Sequence, residues 1–186
     1  QTITWADMAK MVEHMACGLH QAGLTRGEHL VVVGSNRPRL YATMLAAQSL
    51  GAIPVPLYQD AVAAECVFPM TNAEVRLCVV EDQEQVDKML EVRETYTALE
   101  HIYYDDPRGL RKYDEPGLGS VDELLAAGAV FAKQHPNFYK EQVEMGAKED
   151  VAAMFFTSGT TGNPKGVVHT HNSLINRAEA GALFDK

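Results

Sequence analysis

Apolar residues along this chain switch repeatedly between a helical stripe and a short unbroken run. Trp5, Met8, Val12, Met15 and Leu19 sit three and four apart, which predicts one face of a helix. Thr4, with Asp7 three residues on, reads as a capping box at its start, and Gly23 as its stop. The next run, Leu30-Val31-Val32-Val33, is unbroken, β-branched and closed by Gly34, as suits a strand buried on both faces of a parallel sheet. Pro38 opens a second helix through Leu40, Tyr41, Met44, Leu45 and Gln48 to Gly51. The stretch Ala52-Ile53-Pro54-Val55-Pro56-Leu57 is extended, but its two prolines cannot donate to a ladder, which predicts an edge or irregular strand. A short helix over 61–70 follows, then the buried-strand run Leu77-Cys78-Val79-Val80. Val86, Met89, Leu90 and Tyr96 mark another helix, with Glu84 and Lys88 as a supporting pair four apart.

The second half repeats the alternation. His101-Ile102-Tyr103-Tyr104 reads as a weaker strand, and residues 105–119, polar and rich in Pro and Gly, as a surface excursion. Ser120 and Glu123 form a second capping box before Leu124 and Leu125, and Pro136 ends that helix. Val151-Ala152-Ala153-Met154-Phe155-Phe156 is one more apolar strand, Val167-Val168 a further one, and Asn172 the cap of a last helix. Strands alternating with helices predict an α/β fold with a mainly parallel sheet flanked by helices.

Composition narrows the function. The 186 residues are 46% apolar and 22% charged, enough for one domain with a sizeable core. A net charge of −9 without a basic stripe argues against nucleic-acid binding. An anionic small ligand stays compatible, since a few aimed N–H groups and one lysine can make a local positive site. Cys17, Cys66 and Cys78 are odd in number, widely spaced and set among apolar residues, as expected of core filler in a reducing compartment. The absence of a C-x-x-C pair argues against structural zinc, and His169 and His171, two apart, point away from a shared metal. No apolar run approaches the roughly 20 residues of a membrane helix. The start has neither the basic nor the apolar region of a signal peptide, so a cytoplasmic location is expected, with peripheral membrane attachment as an alternative.

The chemistry concentrates in Phe155-Phe156-Thr157-Ser158-Gly159-Thr160-Thr161-Gly162-Asn163-Pro164-Lys165-Gly166-Val167-Val168. A buried strand runs into a loop holding three glycines, four hydroxyls and one lysine. Glycines let backbone N–H groups approach an anion closely, hydroxyls add rotatable donors, and Lys165 adds a compact charge. The loop is not a Walker A motif: Pro164 stands where that motif has glycine before the lysine, and Gly166 where it has Ser or Thr. There is no G-x-G-x-x-G dinucleotide fingerprint either. A plain flexible surface loop accounts poorly for the preceding apolar strand and the Pro-Lys-Gly step.

Phe-Thr-Ser-Gly-Thr-Thr-Gly-Asn-Pro-Lys-Gly-Val closely resembles the phosphate loop of the adenylate-forming superfamily: acyl-CoA synthetases, luciferase-like enzymes and the adenylation domains of peptide synthetases. Phe156 stands where many members have Tyr. Thr4-Trp5, the turn with Gly23, Leu24 and Gly27, Asn36-Arg37-Pro38, residues 51–58 and Glu149-Asp150-Val151-Ala152 resemble the N-terminal lobe of these enzymes. Pro54-Val55-Pro56-Leu57-Tyr58 is most similar to long-chain fatty acyl-CoA synthetases. The resemblance implies that residues 1–186 are a partial N-terminal AMP-binding lobe, cut at both ends and lacking the C-terminal domain.

The same resemblance implies a mechanism. A carboxylate attacks the α-phosphorus of Mg²⁺·ATP and expels pyrophosphate, and the thiol of coenzyme A then takes the acyl group. Thr157, Ser158, Gly159, Thr160, Thr161, Gly162, Lys165 and Gly166 would face the β- and γ-phosphates. Lys165 would be the catalytic cation, and the Thr157 hydroxyl would help hold Mg²⁺. His171 has a capping or core role by preference, and Arg37 and Arg39 read as solvated surface residues. The adenine, ribose and acyl sites would lie downstream, so the expected partners are ATP, a carboxylic acid and CoA, acting on a longer protein. The alternatives are activation of an aromatic or amino acid, or a non-catalytic nucleotide-binding module. Apolar surface left by a cut lobe predicts self-association into dimers or larger species.

Overall fold

A computed structural model describes residues 2–157 and 163–184. Its elements in chain order are α1 (Trp5–Gln21), β1 (His29–Val33), α2 (Pro38–Ser49), β2 (Ile53–Leu57), α3 (Ala63–Asn72), β3 (Leu77–Val80) and α4 (Gln83–Thr95). Then come β4 (His101–Tyr104), β5 (Leu118–Ser120), α5 (Val121–Gln134), α6 (Phe138–Glu144), β6 (Val151–Thr157), β7 (Lys165–Thr170) and α7 (His171–Phe184). Strands β1 to β5 form one all-parallel sheet in the order β2-β1-β3-β4-β5. The predicted α/β layer with a parallel sheet is thus present.

The pleat of β1 explains the layering. Successive side chains of a strand point to opposite faces. Leu30 and Val32 join a core with Met15 and Leu19 of α1, Leu40 and Ala46 of α2, and Leu124 of α5. Val31 and Val33 join a second core with Cys66 and Met70 of α3 and Val86, Met89 and Val92 of α4. A strand covered on both faces can be apolar at every position, which is why the run looked unbroken. Each such side chain, wholly buried, contributes about 1.5–3 kcal/mol. All three cysteines are free and buried, as expected of filler. Burial pushes the Cys17 thiol up to about 11, so it stays protonated.

Both sequence-read capping boxes form. Thr4 Oγ1 accepts from the Asp7 N–H at 3.1 Å, and the Asp7 carboxylate accepts from the Thr4 N–H at 3.0 Å. Ser120 and Glu123 do the same at the start of α5.

Several expectations need correction. Trp5 is 90% exposed rather than part of the buried stripe, and Tyr41 and Leu45 are also exposed, since α2 buries Leu40, Ala42, Thr43, Ala46 and Ala47 instead. The end of the 105–119 excursion is not all loop: Leu118 opens β5, which pairs with β4 at the sheet edge. Glu84 does not hold Lys88, whose ammonium instead donates to Gln85 Oε1 at 2.8 Å and to the Gln59 carbonyl. The last helix is capped by Thr170, not Asn172: its Oγ1 accepts from the Ser173 N–H at 3.2 Å.

The strands β6 and β7 stand apart from the parallel sheet as an antiparallel pair. The reason lies in β2. The Ile53 N–H donates inward to Glu28 O at 2.8 Å, so the alternate positions Pro54 and Pro56 turn outward. Proline carries no N–H, so that outer edge cannot donate to a sixth strand. Strand β6 therefore lies against β2 without joining its ladder. Its hold comes from buried Ala152 and Ala153 and from the Gln48 amide of α2, which donates to Ala152 O at 2.8 Å.

Candidate functional site

Two places in this architecture have glycine- and hydroxyl-bearing residues just beyond the end of a strand. The first is the switch point between β1 and β3, from which the chain proceeds to β2 on one side and to β4 on the other. Open α/β sheets commonly take ligands in the crevice at the carboxyl ends of such strands. Here a protein carboxylate fills it. Glu81, the first residue past β3, accepts from the Ser35 N–H at 2.5 Å and from Arg37 Nε at 2.7 Å. Gly34 has φ +155°, and a Cβ there would lie 2.6 Å from Glu81 Cβ, so glycine is what lets the two loops close. Burial pushes the Glu81 pKa up, but the Ser35 and Arg37 hydrogen bonds and the Arg37 charge outweigh it and hold the carboxyl below its ordinary value.

A second ion cluster adjoins it. Arg39 pairs with Asp105 at 3.1 Å and Asp122 at 2.8 Å. Burial raises the Asp105 pKa, aided by the Asp122 charge and opposed by Arg39 and Arg37. Both arginines make ion pairs, but Arg37 is an exposed surface residue as expected, while Arg39 is half-buried. Glu81 was missed in the sequence: its place directly after a buried strand was readable, but the pairing of β1 with β3 that sets it against the Gly34-Ser35 turn was not.

The second place is the end of the β6–β7 hairpin, where the sequence put the phosphate loop. Thr157 pairs with Lys165 and Phe156 with Gly166, so the base of the loop is fixed by the ladder. Both Thr157 and Lys165 are exposed, and Thr157 Oγ1 donates at 3.5 Å to the Lys165 carbonyl. Ser158, Gly159, Thr160, Thr161 and Gly162 lie outside the described residues. Two hollows reach Thr157. One, of about 410 Å³, is walled by Leu57, Tyr58, Phe68, Phe156 and Pro164, and the other, of about 380 Å³, by Tyr58, Phe155 and Phe156. A larger hollow, about 580 Å³, lies elsewhere, between α1, α2, α6 and α7. Its lining, which includes Trp5, Leu45, Val143 and Ile175, is mostly apolar and, among the described residues, includes neither Thr157 nor Lys165. At the hairpin end the described polar groups are Thr157 and Lys165, paired across the ladder.

The histidines of β7 and α7 have local partners. The His169 ring meets Phe155 edge-on at 5.6 Å, with Nδ1 3.4 Å from Ser173 Oγ. The His171 N–H donates to Asp150 O at 3.1 Å, which ties α7 to the lead-in of β6. Among the described residues no cluster of three or more His, Cys, Asp or Glu could hold a metal ion. Mg²⁺ bound with a nucleotide needs few protein ligands, because phosphate and water oxygens complete its shell. The exposed, weakly held Thr157 hydroxyl fits the part of one such oxygen ligand.

Comparison with known proteins agrees with this architecture. The family model described as AMP-binding enzyme matches residues 1–185. The chain belongs to that family of adenylate-forming enzymes. It is 27% identical over 98% of its length to fatty acyl-CoA synthetase A of Dictyostelium discoideum, covering 26% of that protein. It is 26% identical over 94% of its length to 4-coumarate–CoA ligase 3 of Arabidopsis thaliana, covering 28%. Among solved structures, the anthranilate CoA ligase AuaEII in complex with anthranoyl-AMP superposes with a TM-score of 0.73 at 20% identity, over 89% of this chain and 29% of that one. The chain thus spans about a quarter of the length of the curated relatives it matches.

Proposed function

We propose that the full-length protein is an AMP-forming acid–CoA ligase, and that residues 157–166 grip the β- and γ-phosphates of ATP. The single observation behind this reading is the hairpin end. A half-buried strand delivers Thr157 opposite Lys165 across a ladder, with a glycine- and hydroxyl-rich sequence between them, in a chain of the AMP-binding family. In the first half-reaction a carboxylate oxygen bonds to the α-phosphorus while the bond to the β-phosphate oxygen breaks. Negative charge builds on the departing pyrophosphate. Lys165 and the loop donors, Ser158, Gly159, Thr160, Thr161, Gly162 and Gly166 among them, stabilise that charge in place. Mg²⁺ supplies further charge neutralisation there, with the Thr157 hydroxyl as one ligand. The acyl-adenylate then passes its acyl group to the thiol of coenzyme A. The 186-residue chain alone is inactive on this reading, because it spans only a quarter of its relatives.

The preferred acid is a long-chain fatty acid, on the strength of Pro54-Val55-Pro56-Leu57-Tyr58 and the Dictyostelium relative. The Arabidopsis 4-coumarate ligase, similar to almost the same degree, favours an aromatic acid as the second reading. Exchange of labelled pyrophosphate into ATP, measured on the full-length protein with palmitate, 4-coumarate and phenylalanine in turn, tests both. Exchange with palmitate is expected. Exchange with 4-coumarate alone moves the substrate class, and no exchange with any acid removes the ligase reading in favour of a non-catalytic nucleotide-binding module. Exposed Trp5, Leu45 and Val143 around the hollow between α1, α2, α6 and α7 also support self-association of the 186-residue chain, which monomeric sedimentation at high concentration would contradict.

A further inference from the structure

Beyond the loop residues themselves, something must set the loop's base against the body of the protein. Strand β6 makes no ladder with the parallel sheet, so side chains must do this work. Met154 and Phe156 share one face of β6 and pack against the core formed with α3 and α4. Phe156 lies directly opposite Gly166, and a Cβ at Gly166 would sit 3.4 Å from the Phe156 ring and 3.2 Å from Met154 Sδ. The ring thus lies across the ladder at the rung just below Thr157 and Lys165. Its other neighbour is Phe68 of α3, edge-on, with centroids 6.5 Å apart and planes at 86°. Phe68 is followed by Pro69, buried inside a ten-residue helix. A proline there removes one helix hydrogen bond and restricts the residue before it, so the backbone that carries Phe68 has little freedom.

We propose that Phe68 is a positioning residue for the nucleotide: it braces Phe156 over Gly166 and so fixes where Thr157 and Lys165 present the phosphate loop. This rests on the function proposed above and adds a residue that contacts no phosphate. A ring-edge contact of this kind is worth about 2- to 10-fold in an equilibrium.

The test uses the full-length protein with Phe68→Ala, Phe68→Leu and Phe68→Tyr, and Val67→Ala as a control on the same helix. Amide hydrogen exchange at residues 156–157 and 165–167 should speed by about 2- to 10-fold in Phe68→Ala and Phe68→Leu. It should return to the parent rate in Phe68→Tyr, while amides of β1 and β3 stay unchanged. In pyrophosphate exchange with palmitate, the KM for ATP should rise by a similar factor in Phe68→Ala and Phe68→Leu while the KM for palmitate holds. Val67→Ala should lower the melting temperature without moving either KM. Unchanged exchange at the hairpin base, or a parallel rise in both KM values, overturns the brace. A parent protein with no pyrophosphate exchange at all sinks the ligase reading instead, and the hydrogen-exchange pattern then decides the brace by itself.

Discussion

The switch point of the parallel sheet and the end of the β6–β7 hairpin are built from similar parts and put to different use. Each has a strand followed in sequence by glycine and a hydroxyl residue, and each has a basic residue close by in the chain. At the switch point the anion is internal: Glu81 takes the Ser35 N–H and Arg37, and the crevice is closed. At the hairpin the residues bounding the loop, Thr157 and Lys165, are exposed, and Thr157 opens onto two hollows. On the proposed reading, a doubly wound sheet need not carry its ligand at the usual crevice: the sheet would supply rigidity, and a hairpin laid along its proline edge the chemistry.

That division of labour can be broken from either side. The largest effect is expected in the sheet's core. Met89→Ala removes a wholly buried side chain and should cost about 2–5 kcal/mol, read as a fall in the denaturation midpoint, with the KM for ATP unchanged. A large change in KM would show that the two regions are not separable.

Lys165→Ala is the converse. One charge-assisted hydrogen bond is worth about 1.5–3 kcal/mol, so acid-dependent pyrophosphate exchange should slow roughly 10- to 150-fold with the melting temperature unmoved. An unchanged rate would remove Lys165 from the mechanism.

Glu81→Gln should cost about 1–2 kcal/mol near neutral pH, since a neutral amide holds the Arg37 and Ser35 donors less well. The pH dependence fixes the sign. Glu81 has a folded pKa below its ordinary value, so its contribution is present above that ordinary value and is lost as pH falls through the folded pKa. Asp105, raised by burial, works the other way over a similar range. The fall in melting temperature between about pH 5 and 3 should therefore flatten in Glu81→Gln. A curve parallel to the parent's would deny Glu81 its sealing role.

The smallest effect tests the reading of local motifs. Thr4→Ala should lose about 1 kcal/mol from the α1 cap, read by thermal melting, and leave ATP kinetics alone.

Much of the fold was readable because burial on both faces leaves a plain mark. Residues 30–33 and 77–80 are apolar without interruption, and each became a central strand. Pro54 and Pro56 marked the edge. Position within the sheet was not readable, because it depends on contacts far apart in sequence. Nothing local in residues 151–157 says that they avoid the parallel ladder, and nothing local in residues 118–120 says that they join it. Exposure on helices was misread where an aromatic such as Trp5 fitted the stripe by spacing alone. At the candidate site, the proposed loop chemistry rests on the run of residue types from 157 to 166. The support beneath it was not, since Phe68 and Phe156 lie 88 positions apart and meet only through packing.

The central claim is that nucleotide phosphate is held at the hairpin and not at the sheet's switch point. Hydrogen–deuterium exchange of the full-length protein, with and without saturating Mg²⁺·ATP, compares the two directly. Slower exchange in residues 157–166, with residues 34–37 unchanged, is the predicted result. Slower exchange in residues 34–37 with none at the hairpin would contradict it.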